Sequence, residues 1–255
     1  IYMWVHNLNP VLLNLGGLEI RYYGLVYVIG FILSIVWLMH YRREIALKKD
    51  DVYDLVFYLM LGVIIGSRLF HVVFWEFDYY LLEPWKIFYL WEGGMAYHGG
   101  LVGIIVGAWW FCKNKKISFL KVADILTVPG ILALGLGRLA NFTNGELVGR
   151  VTDVSWCVDF GDNLCRHPYV IYSALKRFAI GGILWSLSSI KFKEGFIFWC
   201  GVLLMGIGRL VLDFYREDIL YWGLSVGQWM SLVMILVSLF VLVRNYKISM
   251  RKLFK

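Results

Sequence analysis

Seven apolar runs constrain this chain more than any other feature. They fall near residues 22–41, 52–74, 96–112, 122–140, 169–190, 195–214 and 225–243. A helix crosses the hydrocarbon core of a bilayer in roughly 20 residues. Backbone groups inside lipid must be hydrogen-bonded within their own segment, so the runs predict helices. The period-2 alternation that marks a membrane barrel is absent. Composition agrees. Of the 255 residues, 60% are hydrophobic and 17% are charged, against about 45–50% and about 25% in soluble domains. The expected fold is all-α: a polytopic membrane protein of seven transmembrane helices, forming a single integral-membrane domain over 1–255.

Orientation follows from lysine and arginine in the short connections. The segments after runs one and three, the turn near 190–194 and the tail after run seven hold fifteen of them, from Arg42 and Arg43 to Lys255. The intervening connections are poorer in base and carry Glu76, Asp78, Glu83, Asp153, Asp159, Asp162, Glu217 and Asp218. The expected topology has the N-terminus outside and the C-terminus cytoplasmic, in the cytoplasmic (inner) membrane. Loops of about 75–95 and 141–168 then face outward. The net charge of +7 is explained by this distribution, and no nucleic-acid partner is expected. Run one ends on Tyr41-Arg42-Arg43 with no A-x-A site ahead of it, the pattern of a retained span rather than a removed signal peptide. Lys176 and Arg177 lie inside run five. They either snorkel outward or mark a later start of that span.

The four cysteines show no CxxC spacing, so no zinc or redox motif and no metal centre is expected. Cys157 and Cys165 share an outward, disulfide-permissive loop. A bridge and two free thiols both remain open. Cys112 and Cys200 are expected to pack. Gly62-x-x-x-Gly66 and Gly99-x-x-x-Gly103-x-x-x-Gly107 place small residues on one helix face, the pattern of close helix packing.

Charge at membrane depth is expensive, so each such residue is a functional candidate. Arg42 and Arg43 fit snorkelling from a helix end. Arg68, Arg138 and Arg209 do not. Arg209 has Asp213 four residues on, and the two can pair on one face. The alternative is an anion site, since the guanidinium fork suits phosphate oxygens. His98 stands at the outer start of run three beside Gly99 and Gly100. It is the histidine best placed to activate a thiol near neutral pH. His71 and His167 are weaker candidates at the same level. The segment Gly137–Arg150 gathers Arg138, Asn141, Asn144, Glu146 and Arg150 where an apolar span ends. Its polar density points to a headgroup-binding loop.

At these residues the sequence resembles the prolipoprotein diacylglyceryl transferase family. The 137–149 segment is similar to that family's signature, with Thr143 where an aliphatic residue is usual. The likeness extends to Tyr23-Gly24-Leu25, His98-Gly99-Gly100-Leu101, Arg166-His167-Pro168, Arg209 through Arg216, and Ser225-Val226-Gly227-Gln228. The resemblance implies transfer of the diacylglyceryl group of phosphatidylglycerol to the lipobox cysteine of a prolipoprotein signal peptide. A thioether forms and glycerol phosphate leaves. No cofactor is implied. Carried over residue by residue, it makes His98 the general base, with Tyr23 as an orienting or headgroup-contacting group. Arg138 and Arg209 stabilise the leaving phosphate. Arg68, Asn141, Asn144, Glu146, Gly149, Arg150, Asp213, Arg216, Gly99 and Gly100 bind substrate or support those that do. The active site is expected toward the outer leaflet.

Some positions depart from the pattern. Tyr169-Val170-Ile171-Tyr172-Ser173 lacks the usual glutamine and glutamate after Arg166-His167-Pro168. Asp213 stands where glutamate is usual, and Met205 where tyrosine is common. The Cys157–Cys165 pair is not a family feature. Competing readings are a divergent member with another donor lipid or acceptor, a lipid or anion transporter, and a structural subunit.

Overall fold

The computed structural model describes residues 4–16 and 18–253. In chain order the elements are β1 (Trp4–Val5), β2 (Val11–Leu15), β3 (Leu18–Arg21), α1 (Tyr22–Tyr41), α2 (Lys49–Phe74) and α3 (Phe77–Leu82). Two 3-10 turns, Pro84–Phe88 and Leu90–Glu92, precede α4 (Tyr97–Lys115) and α5 (Phe119–Thr143). Then come β4 (Val158–Asp159), α6 (Tyr169–Ser188), α7 (Phe196–Leu212), a 3-10 turn at Asp213–Tyr215, β5 (Leu220–Tyr221), β6 (Leu224–Ser225), α8 (Val226–Asn245) and α9 (Lys247–Lys252).

Each apolar run is a helix, and α1 keeps the expected limits. Others lengthen by a turn at polar ends: α2 begins at Lys49, three residues before its run. Asp50 and Asp51 occupy its first turn, where carboxylates favour the helix dipole. The Lys48 amide donates to Asp51 Oδ2 at 2.8 Å, which fixes that start. Run six shortens because its last residues tighten into the 3-10 turn at Asp213. Among the described residues six helices are long and apolar enough to cross a membrane: α1, α2, α5, α6, α7 with its 3-10 extension, and α8. Helix α4 is not one of them. Large apolar side chains on the spans remain exposed, such as Val28, Ile32 and Val36 on α1 and Leu236 and Phe240 on α8. That surface needs an apolar solvent.

The small strands are a departure from the all-α expectation. They form three two-stranded sheets: β1 parallel to β4, and antiparallel β2–β3 and β5–β6. All lie in connections or ahead of α1.

The chain resolves into two compact units, residues 34–122 and residues 1–33 with 123–255. In the smaller unit α2 and α4 run antiparallel through their glycines. A Cβ on Gly66 would meet the Gly99 carbonyl, one on Gly103 the Gly62 carbonyl, and one on Gly107 the Tyr58 carbonyl. The contact is backbone on backbone, the role expected of these glycines.

In the larger unit, α7 is capped from a distance. Asp124 of α5 accepts from the Gly195 amide at 2.6 Å and the Phe198 amide at 2.8 Å. Helix α8 opens with a capping box. The Gln228 amide donates to Ser225 Oγ at 3.1 Å, and the Ser225 amide donates to Gln228 Oε1 at 2.9 Å.

Candidate functional site

In the larger unit, α5 ends in a polar turn. Gly145 takes a φ of +68°, which glycine adopts without strain. The turn is closed by the Glu146 amide donating to the Asn141 carbonyl at 3.0 Å. That folds Glu146 back onto the last turn of α5. Arg138 Nη1 donates to Asn141 Oδ1 at 3.1 Å. Asn141 Nδ2 donates to Glu146 Oε2 at 2.7 Å, and Asn144 Nδ2 donates to Glu146 Oε1 at 2.9 Å. Glu146 thus orients Arg138 through a buried amide rather than by a direct ion pair. The relay uses one N–H of the guanidinium, so the rest of its fork is available to an anion.

Arg209 comes from α7. Its Nε donates to Asp213 Oδ2 at 3.2 Å, and its side chain is 42% exposed while that of Asp213 is fully buried. Tyr169 donates its hydroxyl hydrogen to Asp213 Oδ1 at 2.6 Å. Both carboxylate oxygens are therefore engaged, which orients Arg209 from behind. Gly227 of α8 makes room for this pair: a Cβ there would lie 2.6 Å from Arg209 Nη2 and 2.6 Å from Asp213 Oδ2. Sequence reasoning missed Tyr169 and Gly227. Tyr169 was visible only as a departure from the family pattern, and Gly227 only as part of a motif.

The 148–151 segment is threaded between two others. Gly149 bridges Arg216 in antiparallel fashion and is buried against His167, where a Cβ would meet the His167 carbonyl. The Arg150 amide donates to the Tyr215 carbonyl at 2.9 Å, and the His167 amide to the Arg150 carbonyl at 3.0 Å. Arg150 Nε donates to the Arg216 carbonyl at 3.0 Å, and Arg216 pairs with Asp218 at 3.4 Å. Arg166, buried, bonds Asp162 at 2.6 Å, Glu217, and the Gly149 carbonyl at 3.2 Å. The Arg166 guanidinium holds the Asp162 carboxyl below the usual carboxylate range. Burial pushes His167 below its ordinary value. Cys157 and Cys165 of this loop are disulfide-bonded, with Cα atoms 5.3 Å apart. Tyr23, the second residue of α1, is exposed and packs edge-on against Tyr27 at 5.7 Å.

The smaller unit holds Arg68, His71, His98, Gly99 and Gly100. Arg68 is 4% exposed. Its Nε donates to the Ile87 carbonyl at 2.8 Å. Nη1 donates to Gly93 at 2.5 Å and Gly94 at 3.2 Å, and Nη2 to Lys86 at 2.5 Å and Tyr89 at 3.2 Å. All five N–H groups are spent on main-chain carbonyls of the 86–94 loop, and the Tyr80 ring lies 5.1 Å away. This arrangement spends its donors on the protein's own backbone, and Arg68 folds the loop leading to α4.

The Ala96 amide donates to the Ser67 carbonyl at 3.1 Å, anchoring the start of α4 to α2. Gly99 and Gly100 are buried against α2, and a Cβ on Gly100 would lie 2.6 Å from Ser67 Oγ. They are packing glycines that bring the helix start close to its neighbour. His98 is exposed, its ring 6.2 Å from Phe70 and 5.6 Å from Tyr97. His71 Nε2 lies 3.4 Å from Glu76 Oε2.

Apolar helices long enough to span a bilayer, with oriented guanidinium groups near the ends of two of them, define a multi-pass membrane protein. A family model for prolipoprotein diacylglyceryl transferase matches residues 10–244. The chain belongs to that family. It is 42% identical to the phosphatidylglycerol–prolipoprotein diacylglyceryl transferase of Geobacter sulfurreducens, over 91% of this chain and 94% of the relative. Identity to the protein of that name from Bordetella parapertussis is 42%, over 91% and 93%. For the Legionella pneumophila (strain Paris) protein it is 37%, over 92% and 96%.

Proposed function

We propose that this chain is a transferase that moves the diacylglyceryl group of phosphatidylglycerol to the lipobox cysteine of a prolipoprotein. The thiolate is the effective nucleophile. It attacks the glyceryl carbon bonded to the phosphate oxygen. A C–S bond forms, the C–O bond breaks, and its electron pair leaves on the phosphate oxygen as glycerol phosphate. On the family likeness alone, His98, exposed at the start of α4, is assigned the thiol proton. Negative charge grows on the leaving group, so cations preset for it lower the barrier. Arg138 and Arg209 supply them, one oriented by Asn141 and Glu146 and the other by Asp213 and Tyr169. Asn144 holds Glu146 in that relay, and Tyr23 contacts the lipid head. Gly149, Arg150 and Arg216 keep the 148–151 segment against its neighbours.

The observation that carries this reading is the Arg138–Asn141–Glu146 relay, which fixes a guanidinium while leaving most of its fork unspent. Membership of the family supplies the reaction. The test uses phosphatidylglycerol labelled in its head glycerol. Release of water-soluble label should require a lipobox peptide and Arg138. Release that ignores the peptide would refute acyl-glyceryl transfer and favour simple lipid hydrolysis. Movement of intact lipid across the bilayer without release would favour transport.

The topology that suits this chemistry has seven spans, with α4 the seventh, the N-terminus outside and the C-terminus cytoplasmic. Support comes from the basic connections and from the glycine packing of α4 along α2. The site then lies toward the outer leaflet of the cytoplasmic membrane, within one integral-membrane domain. Cysteine labelling checks it: positions 91 and 117 should label from opposite faces, and labelling from the same face would remove the α4 span.

A further inference from the structure

Arg138, Arg209 and Asp213 act electrostatically on a fourth charged group that the reaction above does not use. Lys176 lies on α6, three residues beyond the segment that departs from the family pattern. Its aliphatic stem crosses α7 at Gly208, the residue before Arg209. A Cβ on Gly208 would overlap Lys176 Cδ and lie 3.1 Å from Cγ and 3.4 Å from Cε. The glycine therefore opens the groove in which the stem lies. The charges acting most strongly on the ammonium are those of Arg177, Asp213, Arg138 and Arg209. One of the four is negative, and its two oxygens are already taken by Tyr169 and Arg209. Arg177 bonds to the Ser173 carbonyl at 2.8 Å and to Ser173 Oγ. Among the described residues no hydrogen bond or ion pair engages Lys176.

An ammonium on an apolar span, within the field of three arginines and without a carboxylate of its own, is a poor structural element. Desolvation and like charge both disfavour it. It becomes favourable when an anion enters. The charge of the donor lipid changes during the reaction. A phosphodiester carries one negative charge. When the glyceryl C–O bond breaks, the electron pair stays on the phosphate oxygen, and the product is a monoester. Its second pKa lies near about 6, so it is dianionic at neutral pH. Two arginines suit the diester; the extra charge appears only as the bond breaks.

We propose that Lys176 is a further catalytic residue, whose ammonium contacts the departing phosphate and stabilises the second negative charge that develops on it. This rests on the transferase reading. It predicts transition-state stabilisation rather than tighter holding of the intact lipid.

The test compares the full chain with Lys176→Met and Lys176→Arg in nanodiscs containing phosphatidylglycerol, with a lipobox peptide as acceptor. Lys176→Met keeps the length of the stem and removes the charge, and its melting temperature checks the fold. Its kcat should fall about 100-fold, the lower range for removing one donor to a developing charge. The KM for donor should move less than threefold. Lys176→Arg should recover most of kcat. Inhibition by glycerol phosphate should weaken about tenfold in Lys176→Met, while inhibition by its monoanionic methyl diester should not change. Unchanged kcat and unchanged glycerol phosphate inhibition would overturn the proposal. So would a raised KM with normal kcat, which would make Lys176 a ground-state contact. If the unmodified protein transfers nothing, the transferase reading fails by itself. Thermal shift with glycerol phosphate then still reports on Lys176: a shift lost in Lys176→Met supports the contact, and an equal shift in both refutes it.

Discussion

Replacing Arg68 by lysine should loosen one loop and leave the rest of the molecule intact. The guanidinium spends five N–H groups on five carbonyls between Lys86 and Gly94. An ammonium has three donors on one atom. At least two carbonyls therefore lose their partner, even if the lysine stem reaches as far. A hydrogen bond to a charged group is worth about 1.5–3 kcal/mol when its partner stays buried. The freed carbonyls belong to a loop that water enters on opening, so the low end applies, about 3 kcal/mol for two. At about 1.4 kcal/mol per factor of ten, the opening constant of the loop should rise roughly 100-fold. Amide hydrogen exchange read by mass spectrometry reports this opening directly when reclosing is fast. Peptides covering 84–94 should exchange roughly 100-fold faster in Arg68→Lys, and faster still in Arg68→Met. Peptides from α7 and α8 should not change. Equal protection of 84–94 in all three proteins would refute the carbonyl cage. A uniform loss of protection would mean that Arg68 stabilises the whole fold instead.

Three further outcomes follow from the geometry. Gly103→Ala puts a methyl group on the Gly62 carbonyl, a backbone atom that cannot rotate away; it should cost about 1–3 kcal/mol in thermal unfolding, while Gly24→Ala, with nothing within 4 Å, should not. Replacing both Cys157 and Cys165 with serine removes a cross-link spanning 8 residues; loop-closure entropy predicts about 2.5 kcal/mol less stability, read as faster proteolysis of the 141–168 loop, and a reductant should reproduce the effect only in the unmodified chain. Burial holds His167 below its ordinary value of 6.5, so its contribution to stability is fully present above pH 6.5 and is lost as pH falls through that value toward the lower folded one; melting temperature should drop from pH 7.5 to pH 5, and His167→Gln should flatten that slope.

Much of the architecture was legible because lipid leaves the backbone few choices. Residues 22–41 form a helix with the limits that hydropathy sets, and the spaced glycines of α2 and α4 meet as their pattern requires. The polar turn after α5 was also legible, since Asn144-Gly145 closes a span and crowds amides beside Glu146. The role of Arg68 was not. Hydropathy identifies a costly arginine but cannot distinguish an anion from a ring of carbonyls, which come from a loop some twenty residues further on. Two of the small sheets escaped for a similar reason: β1 pairs with β4 more than 150 residues away, and the two-residue strands there and in β5–β6 carry no periodicity. Tyr169 lay in a motif where the family likeness broke down, so the pattern marked it as a loss, and Lys176 read only as a charge inside an apolar run. Their contacts with α7 give them a different meaning.

In the proposed reaction a diacylglyceryl group moves from phosphatidylglycerol to a cysteine under the charge of Arg138. The most direct measurement is the mass of a lipobox peptide after incubation with the purified protein and phosphatidylglycerol. The expected result is a gain of one diacylglyceryl group on the cysteine, none on a peptide with serine in its place, and loss of the gain in Arg138→Ala and His98→Ala. No gain with the unmodified protein, or an equal gain in Arg138→Ala, would contradict it.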